Sequence, residues 1–105
     1  MEKMRLIVLV DMPEQTRHER KVRRELLELL FTSGFAVLQA GTYTRVTDGR
    51  DSASAYERHL RAHAPDVGTV RVFTMTEAQF RNADLVAGCE NAQEIEIGSR
   101  LDIFL

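Results

Sequence analysis

Two groups of residues near the N-terminus have types and spacings that could do chemistry. The first is Asp11, which directly follows the apolar run Leu6-Ile-Val-Leu-Val10. If two copies of the chain met over the face that carries Asp11, the two carboxylates could approach each other. Paired carboxylates suit a hard divalent cation such as Mg2+, one ion shared between the two Asp11 side chains, with water and phosphate oxygens completing its shell. Such an ion stabilises negative charge and activates water for phosphodiester hydrolysis, which would make Asp11 both metal ligand and catalytic residue. The competing use of Asp11 is simpler, since an aspartate after a strand commonly does no more than cap the following turn.

The second group is Arg17, Arg20, Lys21 and Arg24. Their spacing of i, i+3, i+4 and i+7 puts them on one helix face. Phosphates of a nucleic acid would be held there with release of counterions, so affinity would fall steeply with salt. A solvated helix face is the ordinary alternative. Arg23 falls in the same stretch, so five basic residues occupy eight positions of a chain whose net charge is −2.

Other candidates are weaker. His59 and His63 stand at i and i+4, a spacing that can hold zinc, but no HExxH motif surrounds them, and they read as surface residues. His18 reads as a local packing residue or a phosphate contact, and Arg71, between Val70 and Val72, as an extension of the basic surface or an ion-pair partner. Tyr43 and Tyr56 read as core or interface residues. Cys89 has no activating neighbour in sequence and reads as inert.

These residues depend on the elements that carry them. The run 6–10 predicts a strand buried on both faces, with Pro13 stopping the ladder because proline has no N–H to donate. Alternation then places Arg5, Ile7, Leu9 and Asp11 on one face and Leu6, Val8 and Val10 on the other. Thr16-x-x-Glu19 is a capping box that starts a helix at Arg17. Gly34 stops it, and Val22, Leu26, Leu29, Leu30 and Ser33 form its core stripe.

Phe35–Val46 predicts β structure with a bend or tight hairpin at Ala40–Gly41. After the Asp48-Gly49 turn, a second helix is expected from about Asp51 to Ala64, with Ala53, Tyr56, Leu60 and Ala64 as its stripe and Pro65 closing it. A strand follows over Thr69–Met75. Thr76 and Gln79 then cap a short helix near 77–82. Short strands are expected at 95–97 and 101–105.

This order predicts an α+β, ferredoxin-like βαββαβ sandwich with an additional C-terminal strand and with its helices on one side of the sheet. The other face would leave Ile7 and Leu9 exposed, and apolar surface of that kind marks an interface. A two-fold homodimer would bury it, with residues 83–105 as a tail adding to the partner's sheet edge.

A chain of 105 residues predicts a single domain over 1–105. No stretch approaches the roughly 20 apolar residues that cross a bilayer. There is no signal-peptide pattern, and the single cysteine excludes an internal disulfide. A cytoplasmic protein is therefore expected. Residues 1–50 hold nine Lys/Arg against seven Asp/Glu, and residues 51–105 five against nine, so the basic character is concentrated near the N-terminus.

Several segments taken together resemble a known family. They are Arg5-Leu-Ile-Val-Leu-Val-Asp-Met-Pro13, Thr16-x-x-Glu19-Arg20-Lys21, Gly34-Phe35, Leu38-Gln39 with Tyr43-x-Arg45, Gly68-x-Val70-Arg71-Val72, Thr76-Glu77-x-Gln79-Phe80 and Asp102-Ile103-Phe104. In this order, from about Met4 to Leu105, the chain resembles the small CRISPR-associated protein Cas two, in the form that accompanies type II (Cas-nine) systems.

The resemblance implies a ferredoxin-like homodimer. Two dimers of the CRISPR integrase subunit, Cas one, would bind at its ends to capture double-stranded DNA and insert it as a spacer. It also implies Mg2+-dependent endonuclease activity on RNA or DNA in many members. The family's metal aspartate falls on Asp11, and its basic, DNA-lining first helix falls on Arg17, Arg20, Lys21 and Arg24. Gly41 departs from the serine that many relatives carry.

Four readings follow: a DNA-holding scaffold for spacer integration, a metal-dependent nuclease, a ferredoxin-like regulatory domain that binds a small ligand between subunits, and a toxin-like ribonuclease. The apolar run 6–10 offers little for the polar pocket that the regulatory domain needs.

Overall fold

A computed structural model of the chain describes residues 2–88. Its elements are β1 (Met4–Asp11), α1 (Arg17–Thr32), β2 (Ala36–Gln39), β3 (Thr42–Thr47), α2 (Arg50–Ala62), β4 (Thr69–Thr76) and α3 (Glu77–Arg81). The four strands form an antiparallel sheet in the order β2-β3-β1-β4. This is the expected βαββαβ arrangement. The strands expected at 95–97 and 101–105, Cys89 and the expected tail from residue 89 onward lie outside the described residues, while residues 83–88 at the start of that tail are exposed and form neither strand nor helix.

β1 is central because its even-numbered residues are apolar throughout. Leu6 and Val8 are fully buried, Val8 lying opposite Tyr43 on β3 and Val72 on β4. With Met4 they meet Leu26 and Leu30 of α1, Ala53 and Leu60 of α2, Phe35 and Tyr43. Each large apolar side chain removed from water there contributes about 1.5–3 kcal/mol. Tyr43 lies edge-on to Phe31 with ring centroids 5.9 Å apart, so it serves the core, as expected.

Local signals set the helix ends. Thr16 accepts from the Glu19 N–H while Glu19 accepts from the Thr16 N–H, so α1 starts at Arg17. Thr76 and Gln79 repeat the exchange for α3. β2 and β3 join in the tight hairpin expected at Ala40–Gly41, with a register shift between Val37 and Gln39. α2 ends at Ala62, two residues before the expected Ala64, which is exposed.

Two expectations about the sheet need correction. β1 is not buried on both faces along its length, since Leu9 and Asp11 are exposed. Nor do all helices lie on one side. α3 reaches the odd-numbered face, where Glu77 takes a two-point ion pair from Arg5, Nε–Oε1 at 2.7 Å and Nη2–Oε2 at 2.6 Å. The Phe80 ring lies 4.2 Å from the Arg5 guanidinium carbon. Arg5 is therefore fully buried, and Ile7, two residues on, is buried as well. The exposed apolar patch on this face is reduced to Leu9 and Phe73.

Candidate nucleic-acid interface and metal site

Three connections meet at the carboxyl end of β1: the stretch 12–16 leading into α1, the β2–β3 turn, and the stretch 63–68 between α2 and β4. The Val10 N–H donates to the Gly41 carbonyl at 2.7 Å. Gly68, with φ +78°, passes so close to β1 that a Cβ there would lie 2.8 Å from the Asp11 carbonyl oxygen. His18 Nε2 lies 3.1 Å from Asp66 Oδ1, which ties the start of α1 to the end of α2. His18 thus makes an exposed hydrogen-bonding contact with Asp66 rather than a packed one.

Asp11 stands at this end, in register with Thr69 on β4 and on the same face as Leu9 and Arg71. Its side chain is exposed, and no ion pair holds it among the described residues. No group of three His, Cys, Asp or Glu side chains among the described residues is arranged to hold a metal ion. At the end of β1 one chain therefore offers the Asp11 carboxylate without an ion-pair partner among the described residues. That donor set does not make a protein-only cage, but it suits Mg2+, which is commonly held by one or two carboxylates with water and phosphate oxygens. His59 and His63 are exposed, and His63 Nδ1 is engaged with the His59 carbonyl at 3.0 Å, in line with a surface role.

Arg17, Arg20, Lys21 and Arg24 are all exposed. Arg20 Nη1 bonds to the carbonyls of Glu14 and Gln15 at 3.3 and 3.2 Å, which orients it without neutralising it. Arg17, Lys21 and Arg24 form no ion pair among the described residues, whereas Arg23 pairs with Glu14 at 3.8 Å. The first turns of a helix carry the positive end of its dipole, so cations there are disfavoured. α1 nevertheless places Arg17 at its first position and Arg20 in the next turn. The helix dipole therefore does not favour a cation at Arg17.

The far end of α1 is completed from β3. Arg45 Nη1 donates to the Ser33 carbonyl at 2.8 Å, and its guanidinium carbon stacks 4.5 Å from the Tyr56 ring centroid. This cation at the helix C-terminus is dipole-favoured, and it compensates for the absence of basic residues in the last turn of α1. The reading of the sequence missed both Arg45 and the Arg5–Glu77 pair. An arginine inside an apolar strand, as Arg5 is, was the available signal.

No family model matches the chain. Several relatives carry the name CRISPR-associated endoribonuclease Cas2, three of which illustrate the likeness. The protein of Acidovorax ebreus (strain TPSY) is 31% identical over 96 residues, covering 91% of this chain and 94% of the relative. That of Ligilactobacillus salivarius (strain UCC118) is 32% identical over 85 residues, covering 81% and 84%. That of Streptococcus mutans serotype c (strain ATCC 700610 / UA159) is 30% identical over 102 residues, covering 97% and 93%. Likeness over nearly the full length of both partners, on a sheet of the expected order, makes this chain a member of the CRISPR-associated Cas2 (Cas two) family.

Proposed function

We infer that this chain acts in CRISPR adaptation as a homodimer that holds duplex DNA for the integrase subunit, Cas one. The observation that carries this reading is the exposed face of Arg17, Arg20, Lys21 and Arg24, which begins where the helix dipole disfavours a cation and has no ion-pair partner for any of its four cations among the described residues. Such a face binds phosphates without reading sequence, as a scaffold for spacers of unrelated sequence requires. The exposed Leu9 and Phe73 beside Asp11 give a second copy an apolar surface to cover.

Phosphodiester hydrolysis is a second activity of the same protein, favoured by the free carboxylate of Asp11 and by the endoribonuclease name of the relatives. Asp11 from each of two copies would hold Mg2+, which supplies charge stabilisation and an activated water. Arg71, on the same face and opposite Leu9, supplies positive charge near the backbone of a bound strand.

Asp11→Asn separates the two activities. The variant is expected to form the same dimer and bind duplex DNA as the wild type does, and to lose Mg2+-dependent cleavage. Loss of DNA binding on this substitution would contradict the assignment of binding to α1.

A further inference from the structure

Resting on the reading of α1 as a phosphate-binding face, we propose that the DNA-binding track continues onto α2 and that Arg58 and Arg61 are phosphate contacts. α1 and α2 run in opposite directions over the same face of the sheet, as the βαββαβ order requires. The start of α1 and the end of α2 therefore lie together, joined by the His18–Asp66 contact.

At this end the helix layer is basic on both helices. Arg58 and Arg61 are exposed and form no ion pair among the described residues. Of the nearby acids, Asp66 contacts His18, Glu14 pairs with Arg23 and Glu57 accepts the Thr74 hydroxyl at 2.6 Å, while Glu25 and Glu28 lie exposed on α1 beside the end of α2. The opposite end of the layer differs. There the cations are neutralised, Lys3 by Asp48 at 3.2 Å and Arg50 by Glu2 at 3.5 Å, and Asp51 adds a further acid.

The dipole of α2 favours a cation in its last turn, which explains Arg61. It explains neither Arg58, one turn earlier, nor the basic start of α1 beside it, where the dipole has the opposite sign. A polyanion lying across both helix ends accounts for all of them.

The test is duplex-DNA binding by the full-length protein as a function of salt. Three variants are compared with the wild type: R58Q/R61Q, K3Q/R50Q and R20A/K21A/R24A. Glutamine keeps helix propensity and most of the side-chain stem, and the first two variants change net charge equally. The proposal predicts that R58Q/R61Q weakens binding and lowers the log–log salt slope by about 1.8, two contacts' worth, while K3Q/R50Q leaves it unchanged. Amide shifts of the wild type titrated with the same duplex would then include Arg58–Ala62 as well as Arg17–Arg24.

An unchanged slope in R58Q/R61Q, with a reduced slope in R20A/K21A/R24A, overturns the α2 contact and leaves the α1 reading standing. Equal losses in R58Q/R61Q and K3Q/R50Q reduce the effect to net charge and also overturn it. No loss in any variant overturns both the contact and the reading beneath it.

Discussion

Gly34 and Arg45 occupy one space. A Cβ on Gly34 would lie 1.7 Å from Arg45 Nη1, the nitrogen that donates to the Ser33 carbonyl at the end of α1. Gly34 also has φ +86°, which a side chain disfavours. Gly34→Ala should therefore cost about 2–4 kcal/mol, combining the left-handed backbone with loss of a charged hydrogen bond. Urea unfolding measures this. In an Arg45→Met background the same substitution should cost less, because the blocking nitrogen is gone. Equal costs in the two backgrounds would show that the two residues are not coupled.

The Arg5–Glu77 pair predicts a different pattern. Breaking it with Glu77→Leu leaves a buried guanidinium without its carboxylate, which should cost about 3–5 kcal/mol. Removing both charges with Arg5→Met and Glu77→Leu should recover most of that loss, because well-packed apolar residues replace buried ion pairs at little cost. A double variant as unstable as the single one would mean that the pair is worth its full strength to the fold.

These two relationships also mark what the sequence could and could not reveal. The capping boxes at Thr16 and Thr76, the stop at Gly34, the Ala40–Gly41 hairpin and the alternation along β1 were all legible, because each is set by residues within a few positions of one another. The Arg5–Glu77 pair joins residues 72 positions apart. Periodicity carries no information about such a contact, so the placement of α3 on the second face of the sheet was missed. The cations of α1 were legible as a face from spacing alone. Their freedom from partners depends on where Glu14 and the nearby acids fold, which only the structure shows. Asp11 was legible as the end of a strand, but that its carboxylate meets no ion-pair partner among the described residues is seen only in the structure.

Gly68 offers a way to disturb Asp11 without altering it. A Cβ at this position would lie 2.8 Å from both the Asp11 carbonyl oxygen and the Met12 Sδ, and φ there is +78°. Gly68→Ala should destabilise the fold by about 1–2 kcal/mol through the backbone conformation. It should also shift the end of β1 and reduce Mg2+-dependent cleavage more than duplex binding. Cleavage assays beside binding isotherms on one preparation decide this. Parallel losses in both would place Asp11 within the DNA-binding surface instead.

The central claim is that the first turns of α1 hold the phosphates of duplex DNA. Its most direct test is the affinity for a duplex of about 30 base pairs between roughly 50 and 200 mM salt, for the wild type and for R20A/K21A/R24A. The account predicts a steep log–log dependence in the wild type and a slope lower by about 2.7 in the variant, with unchanged helix content. Identical slopes and affinities for the two proteins would contradict it.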